Sequence, residues 1–318
     1  MARLSDFYTL PLDDWIEVAV KDWLVPTFRP AFQVIQWPVD QVLSGTEAAL
    51  LWIPFVAFLI GAGSLAWWLA GRGVAAFTVA SLAFLDLLGI WSQTMTTLAM
   101  VLTAVVFCAA VGIPLGIVAA RSDRFATAIR PVLDIMQTTP AFVYLVPVVM
   151  LFGVGMVPGI IATIIFALPP LIRLTNLGIR QVRGELVEAG FAFGATSRQV
   201  LWEIQLPLAM RTIMAGLNQT LMLSLSMVVI AALIGAEGLG LIVFRGIGRL
   251  DVGLAALGGL GIVLLAIMLD RITQALGDPG ARLRAGDRRR ALLARLSWRR
   301  PERTAPPATE PTAPGEFR

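Results

Sequence analysis

The sequence predicts an all-α protein that crosses a membrane about seven times. Of its 318 residues, 57% are hydrophobic and only 14% charged, a balance far outside that of soluble domains. The apolar residues gather in runs near 20 residues long, enough for an α-helix to cross a hydrocarbon core of about 30 Å. Arginine is segregated into the connections between those runs, as short cytoplasmic loops require.

Taken in order, residues 1–48 form an extracytoplasmic N-terminal region with three basic residues against seven acidic ones. Its start, MARLSDFYTLPLDDW, lacks the charged beginning and apolar core of a secretory signal, so no cleavage is expected. Within DDWIEVAVKDWLV, the residues Trp15, Ala19, Asp22 and Trp23 fall near one face of a helix. That face suits a helix lying on the outer membrane surface, with a specific docking role as the alternative. A transmembrane domain follows over 49–276, with spans expected at 49–70, 74–91, 95–120, 139–155, 157–174, 211–235 and 253–276. The fourth and fifth are short and interrupted by Pro and Gly, so they read either as one broken hairpin or as two crossings. The remainder, 277–318, is basic and rich in Pro, Thr and Ala, which predicts a disordered tail.

Ten arginines after Gly277 place that tail in the cytoplasm. Counting back through seven spans puts the N-terminus outside and the C-terminus inside. Arg72, the Arg121/Arg124/Arg130 connection and the Arg180/Arg183/Arg198 connection then all lie inside, with Trp52 and Trp91 at the outer interface and Trp67 and Trp68 at the inner one. Arg245 and Arg249, on an outer loop, are the exceptions.

The inventory excludes much chemistry. There is no histidine, and Lys21, the only lysine, sits in VAVKDW rather than in a Gly-rich turn. The chain therefore has no phosphate-cradling GxxxxGK[ST] loop and no histidine-based catalysis or metal site. Cys108 is the only cysteine, inside AVVFCAAVGI, and reads as a small core residue. No cofactor, metal or nucleic-acid partner is expected.

One segment stays wet. VEAGFAFGATSRQVLWEIQLPLAM lies between two oily runs on the cytoplasmic side yet alternates charge and hydrophobe. Leu186, Ala189, Gly190 and Phe193 share a helical face, with two small residues that allow another surface close approach. Gly194 ends that helix, where free access to positive φ is wanted. Thr196 with Gln199 forms a capping box for a second helix. Its stripe is Val200, Leu201 and Ile204, and Pro207 marks its end or a change of direction. An interfacial helix pair on the headgroups would satisfy the periodicity alone.

The spacing is more specific. Glu188-Ala189-Gly190, then Gly194, then nine residues to Ile204 and Leu206-Pro207, resembles the EAA loop of binding-protein-dependent ABC importer permeases. Glycine at 190 departs from the usual alanine. MQTTPAFVYLVPVVMLFGVG, IIFALPPLIRLTNLGIRQV, IAALIGAEGLGLIVFRGI and the FRPAFQVIQWPVDQVL stretch are similar to permeases of glycine betaine/proline osmoprotectant uptake systems, over roughly residues 10–276. The resemblance implies a type I ABC importer permease fold in the cytoplasmic (inner) membrane. It also implies that residues about 185–207 form a cytoplasmic coupling helix, with Glu188, Ala189, Gly190, Gly194, Leu201, Ile204, Leu206 and Pro207 fitting a groove in a separate ATP-binding subunit. The ATPase subunits work as a pair and this chain has one loop, so a homodimer is expected. An extracytoplasmic substrate-binding protein delivers the solute, and ATP hydrolysis belongs to the partner, so this chain is not an enzyme.

The path is less marked. Asp86 in LAFLDLLGIW is either a path residue or a solvated structural group near the outer end of its span. Pro140, Pro147, Pro158, Pro169 and Pro170 suggest irregular backbone lining a cavity, with packing kinks as the alternative. Gly235, Glu237, Gly238 and Gly240 of IGAEGLG form either an outer gate or a close helix contact. With two tyrosines and most tryptophans at interfaces, no aromatic cage for a quaternary ammonium is legible, so selectivity is expected mainly in the binding protein. The alternatives are an importer permease for another solute, such as an amino acid, or a transporter driven by an ion gradient, for which one span carboxylate and no histidine are meagre equipment.

Overall fold

The computed structural model describes residues 25–277 together with positions 15, 17, 18, 22 and 23. The expected tail, and most of the expected amphipathic N-terminal segment, lie outside the described residues. Within them the first half of the chain forms α1 (Val25–Trp52), α2 (Phe55–Ala70), α3 (Arg72–Leu87), α4 (Trp91–Arg121), α5 (Asp123–Thr138), a 3₁₀ turn (Ala141–Tyr144) and α6 (Leu145–Phe152). The second half forms α7 (Met156–Arg180), α8 (Gly184–Ala192), α9 (Ser197–Gln199), a π-helical turn (Val200–Gln205), α10 (Leu206–Ala231), a 3₁₀ turn (Ala232–Ile234), α11 (Leu239–Gly248) and α12 (Val252–Gly277).

Four helical runs are long and apolar enough to cross a membrane, Trp91–Arg121, Met156–Arg180, Ser197–Ile234 and Val252–Gly277, and two bent pairs also qualify when each is taken as one span. The expected 74–91 span corresponds to the 16-residue α3, about 24 Å long. The 49–70 span straddles a break: α1 and α2 meet at 106° around Pro54, because proline lacks the N–H and crowds the carbonyl four residues back. The boundary expected at residue 48 falls inside α1, and Val39 and Leu43 of that helix are buried in one cluster with Ala99, Met100 and Ala104 of α4 and Ile160 and Ile161 of α7.

Two expectations about proline-containing segments need correction. The 157–174 run is not broken, since α7 continues through Pro169 and Pro170, both buried. The prolines remove the helix donors to Ile165 O and Phe166 O, and neighbouring helices bond the backbone on either side of those two carbonyls: Thr220 donates to Ala167 O at 3.0 Å, and the Cys108 thiol lies 3.7 Å from Ile164 O. The 139–155 run is broken, but its helix begins earlier, at Asp123, in what reads from sequence as an arginine-bearing loop. Ser122 starts α5 by accepting from Phe125 N, and Pro140 ends it by holding Thr139 in extended backbone. α5 and the following 3₁₀–α6 segment meet at 106°.

Glycines let α7 sit between α4 and α10. A β-carbon on Gly116 of α4 would lie 2.5 Å from Thr175 Cβ of α7, and one on Gly216 of α10 would lie 3.1 Å from Leu174 Cβ. With Gly112 one turn earlier, α4 carries the small-xxx-small spacing that permits such close crossings. α7 therefore serves as the central helix, and it leads within four residues into α8.

Candidate functional site

The wet segment folds as a helix, a tight turn and a second helix. α8 closes with two backbone bonds, from Gly194 N to Phe191 O (2.9 Å) and from Ala195 N to Gly190 O (3.1 Å). This is a Schellman turn, with Gly194 at φ +83° in the position that needs a left-handed backbone. Thr196 and Gln199 form the expected capping box, Thr196 N donating to Gln199 Oε1 at 2.8 Å.

The face read from sequence divides in two. Gly190 points inward, where a β-carbon would lie 2.7 Å from Ile204 Cδ1 and 3.3 Å from Val200 Cγ2. Its small size therefore serves packing of α8 on the π-helical turn rather than the approach of an outside surface, which corrects the sequence reading of that residue. Val200, Leu201 and Leu206 are buried and Ile204 is half-buried. Outward face Glu188, Ala189 and Phe193, the last 93% exposed. Phe191 and Trp202 are also exposed, and sequence periodicity did not single out Trp202.

Pro207 does not stop the second helix. One run continues from Ser197 to Ile234, and the π-helical turn at Val200–Gln205 precedes the exposed proline. The wider turn gives the proline ring room that a regular α-turn would deny it. The result is a continuous helical connection from the exposed surface into the α10 span.

On the same side lies a cavity of about 460 Å³ between the end of α4, α5 and α7, lined by both charged and apolar side chains. Arg180, at the last turn of α7, donates to Asp123 Oδ1 (2.6 Å), Asn176 Oδ1 (2.7 Å) and Ala119 O (2.8 Å). Arg173 pairs with Asp134 of α5. These residues were not candidates from sequence. They are scattered through a helix and a presumed loop, and no local spacing announces them.

The expected path residues are not brought together. Asp86 is exposed at the end of α3, Pro140 and Pro147 are exposed on the 3₁₀–α6 segment, and Pro169 is buried in α7. Gly235 (φ +84°) ends the 3₁₀ turn after α10, and Ile234 O accepts from Gly155 N at 2.8 Å. Gly238 and Gly240 are close-contact residues. A β-carbon on Gly238 would lie 2.5 Å from Thr97 Oγ1, and one on Gly240 would lie 2.3 Å from Val228 O. Thr97 Oγ1 accepts from Leu239 N at 2.8 Å, so IGAEGLG is clamped to α4, while Glu237 is exposed. A span carboxylate missed by the sequence reading is Asp270 of α12, which accepts from Asn218 of α10 (2.8 Å) and Gln274 (2.7 Å). Among the described residues no cluster of metal-ligating side chains occurs.

Residues 112–279 match the protein family described as binding-protein-dependent transport system inner membrane component. The chain is 59% identical over 268 residues to the glycine betaine/proline betaine transport system permease protein ProW of Escherichia coli (strain K12), covering 84% of this chain and 75% of that one. It is 46% identical over 265 residues to the glycine betaine transport system permease protein OpuAB of Bacillus subtilis (strain 168), covering 83% of this chain and 94% of the relative. Among solved structures, an inward-facing MetNI methionine ABC transporter superposes with a TM-score of 0.53 at 21% identity, over 61% of this chain and 95% of that one. This likeness establishes a shared fold.

Proposed function

Since the chain belongs to the family of binding-protein-dependent transport system inner membrane components, we propose that it forms the passage for glycine betaine, proline betaine or a related compatible solute in an ATP-driven importer. It is a multi-pass inner-membrane subunit rather than an enzyme, working with an ATP-binding subunit and a substrate-binding protein. The substrate class is supported by the names of its relatives, glycine betaine permeases over most of their length.

The observation that carries the coupling role is the exposed surface made by Glu188, Ala189 and Phe193. It is presented by a Schellman turn between the two spans α7 and α10, in a chain without a nucleotide loop. Gly190, Leu201, Ile204 and Leu206 hold that surface in shape from beneath, and Gly194 and Pro207 set the backbone on either side of α9 and the π-helical turn. A groove on the ATPase subunit that grips it would move α7 and α10 together, because both are joined to it by short helical connections. The pair of ATPase subunits needs two such surfaces, which supports a homodimer seated in membrane lipid.

For orientation, α2, α3, α4, the bent α5–α6 pair, α7, α10 and α12 make seven crossings, with α1 on the outer side. The N-terminus then lies outside and the C-terminus in the cytoplasm. Support comes from Arg72, Arg121, Arg124, Arg130, Arg180, Arg183 and Arg198, which all fall on the coupling-loop side. Of the path candidates, Gly235, Glu237, Gly238 and Gly240 form the outer closure through Thr97. Asp86, Pro140 and Pro147 shape its surroundings, and Pro169 shapes the central helix.

The test is transport in proteoliposomes. Uptake of labelled glycine betaine is expected only with the ATPase subunit, ATP and loaded binding protein all present. Accumulation by the permease alone, under an imposed proton or sodium gradient, would overturn the reading.

A further inference from the structure

The hairpin of α11 and α12 ends in a turn that none of these roles uses. The two helices pack antiparallel: a β-carbon on Gly246 would lie 2.4 Å from Ala255 N, one on Gly258 would lie 2.8 Å from Val243 Cγ2, and one on Gly261 would lie 3.1 Å from Leu239 Cδ2. Leu239 is tied to Thr97 of α4. The tip is thus the free end of the hairpin, about 15 Å along the helix axis from that anchor. α10 carries the chain from the coupling loop across to Ile234, so the tip lies on the opposite side of the membrane from that loop.

α11 closes as α8 does. Leu250 N donates to Ile247 O at 3.1 Å and Asp251 N to Gly246 O at 2.8 Å. In α8 the left-handed position is Gly194, whereas here it is Leu250 at φ +57°, the only non-glycine residue at positive φ among the described residues. A bulky residue is strained in that conformation, and glycine or asparagine would close the same turn without strain. Packing within the chain does not compensate, because the Leu250 side chain is 89% exposed. Asp251 has its own task, accepting from Leu254 N at 3.0 Å to cap α12.

Ile247 and Val252 beside Leu250 are exposed. So are Arg245 and Arg249, and neither makes an ion pair among the described residues. Both arginines complement the dipole at the end of α11, but their guanidinium groups remain free. They are also the two that violate the segregation of arginine to the other side.

We infer that this tip is a docking surface for the extracytoplasmic substrate-binding protein, Leu250 entering an apolar pocket and Arg245 and Arg249 meeting carboxylates at its rim. The inference rests on the importer reading. An exposed side chain held at a strained position, ringed by free cations, is the pattern of an interface anchor with a charged rim. Lipid explains it less well, since Ile247 and Val252 already supply an apolar pair and hydrocarbon makes no demand on one position. A two-fold contact with a second copy would bring like-charged Arg245 and Arg249 of both copies together.

The test uses the permease with its ATPase subunits in nanodiscs and the fluorescently labelled, glycine betaine-loaded binding protein. Leu250→Gly relieves the strain and keeps the turn. It should leave melting temperature equal or higher and basal ATPase activity unchanged, while weakening binding-protein affinity roughly tenfold or more. Arg245→Glu with Arg249→Glu should also weaken binding and remove the decline of affinity with salt that screening of these charges predicts for the unmodified complex. Wild-type affinity in Leu250→Gly would overturn the docking surface. A fall in dimer fraction would then identify a contact between copies, and altered vesicle association would identify a lipid contact. If the unmodified complex itself shows no stimulation by binding protein, the importer reading fails instead.

Discussion

At Gly194 the backbone sits at φ +83°, and an added β-carbon would meet nothing within 4 Å. Substitution there acts through the main chain alone, by about 1–2 kcal/mol for a β-branched residue. Gly194→Val is expected to insert normally, yet to tilt α8 against α9 and lose most binding-protein-stimulated ATP hydrolysis. Gly194→Asn, which tolerates the left-handed region, should retain it. Gly73, exposed in the first turn of α3 with nothing within 4 Å, is the control, and Gly73→Val should transport normally. Equal coupling in Gly194→Val and Gly194→Asn would mean the turn does not shape the surface. At Gly190 the balance differs, because the nearest obstacle is Ile204 Cδ1, the far end of a flexible side chain. Gly190→Ala is therefore expected to cost less than about 1 kcal/mol. Gly190→Leu should displace the π-helical turn and uncouple ATP hydrolysis from uptake, as paired uptake and hydrolysis assays would show.

At the scale of elements, the closure between α4 and the IGAEGLG turn depends on one buried donor and one close contact. Thr97→Val leaves the Leu239 N–H without its partner, at a cost of about 1–3 kcal/mol. Gly240→Ala forces a methyl against the backbone carbonyl of Val228, which cannot swing aside as a side chain can. Both should lower the thermal midpoint of the detergent-solubilised protein, Gly240→Ala more. A Gly240→Ala midpoint equal to that of the unmodified protein would contradict the packing. The connection from α7 to the coupling surface runs through Arg180, which ties α7 to α4 and α5 by one hydrogen bond each and is steadied within α7 by a third, to Asn176. Its partner Asp123 is exposed, so solvent weakens that ion pair and the effect on folding should be small. Arg180→Ala is expected to fold, but to hydrolyse more ATP for each solute moved. An unchanged ratio would assign Arg180 a purely local role.

For the whole molecule, the proposed seven-crossing arrangement would place Phe193 and Leu250 on opposite sides. Both are almost fully exposed, and Cys108, the only cysteine, is buried. In a Cys108→Ala background, Leu250→Cys should react with an impermeant thiol reagent in intact spheroplasts, and Phe193→Cys only after lysis. The reverse pattern would invert the orientation. Crosslinking or mass photometry of the purified complex should find two copies of this chain for each pair of ATPase subunits.

Composition and local spacing determine that this chain is a helical membrane protein, where its wet segment lies and how that segment turns. A hydrophobic run, a glycine at a helix end and a Thr196–Gln199 capping pair each act within a few residues, so their physics is readable in one dimension. Tertiary structure alone decided which side of α8 faces inward, since Gly190 is small because Ile204 lies against it. It also decided that α7 runs unbroken through two adjacent prolines, packed between α4 and α10 with Thr220 and Cys108 bonded to its backbone on either side of the freed carbonyls. The strain at Leu250, the clamp from Thr97 to Leu239 and the Arg180 junction were equally hidden. Each depends on backbone geometry or on residues far apart in the chain, and only packing brings those together.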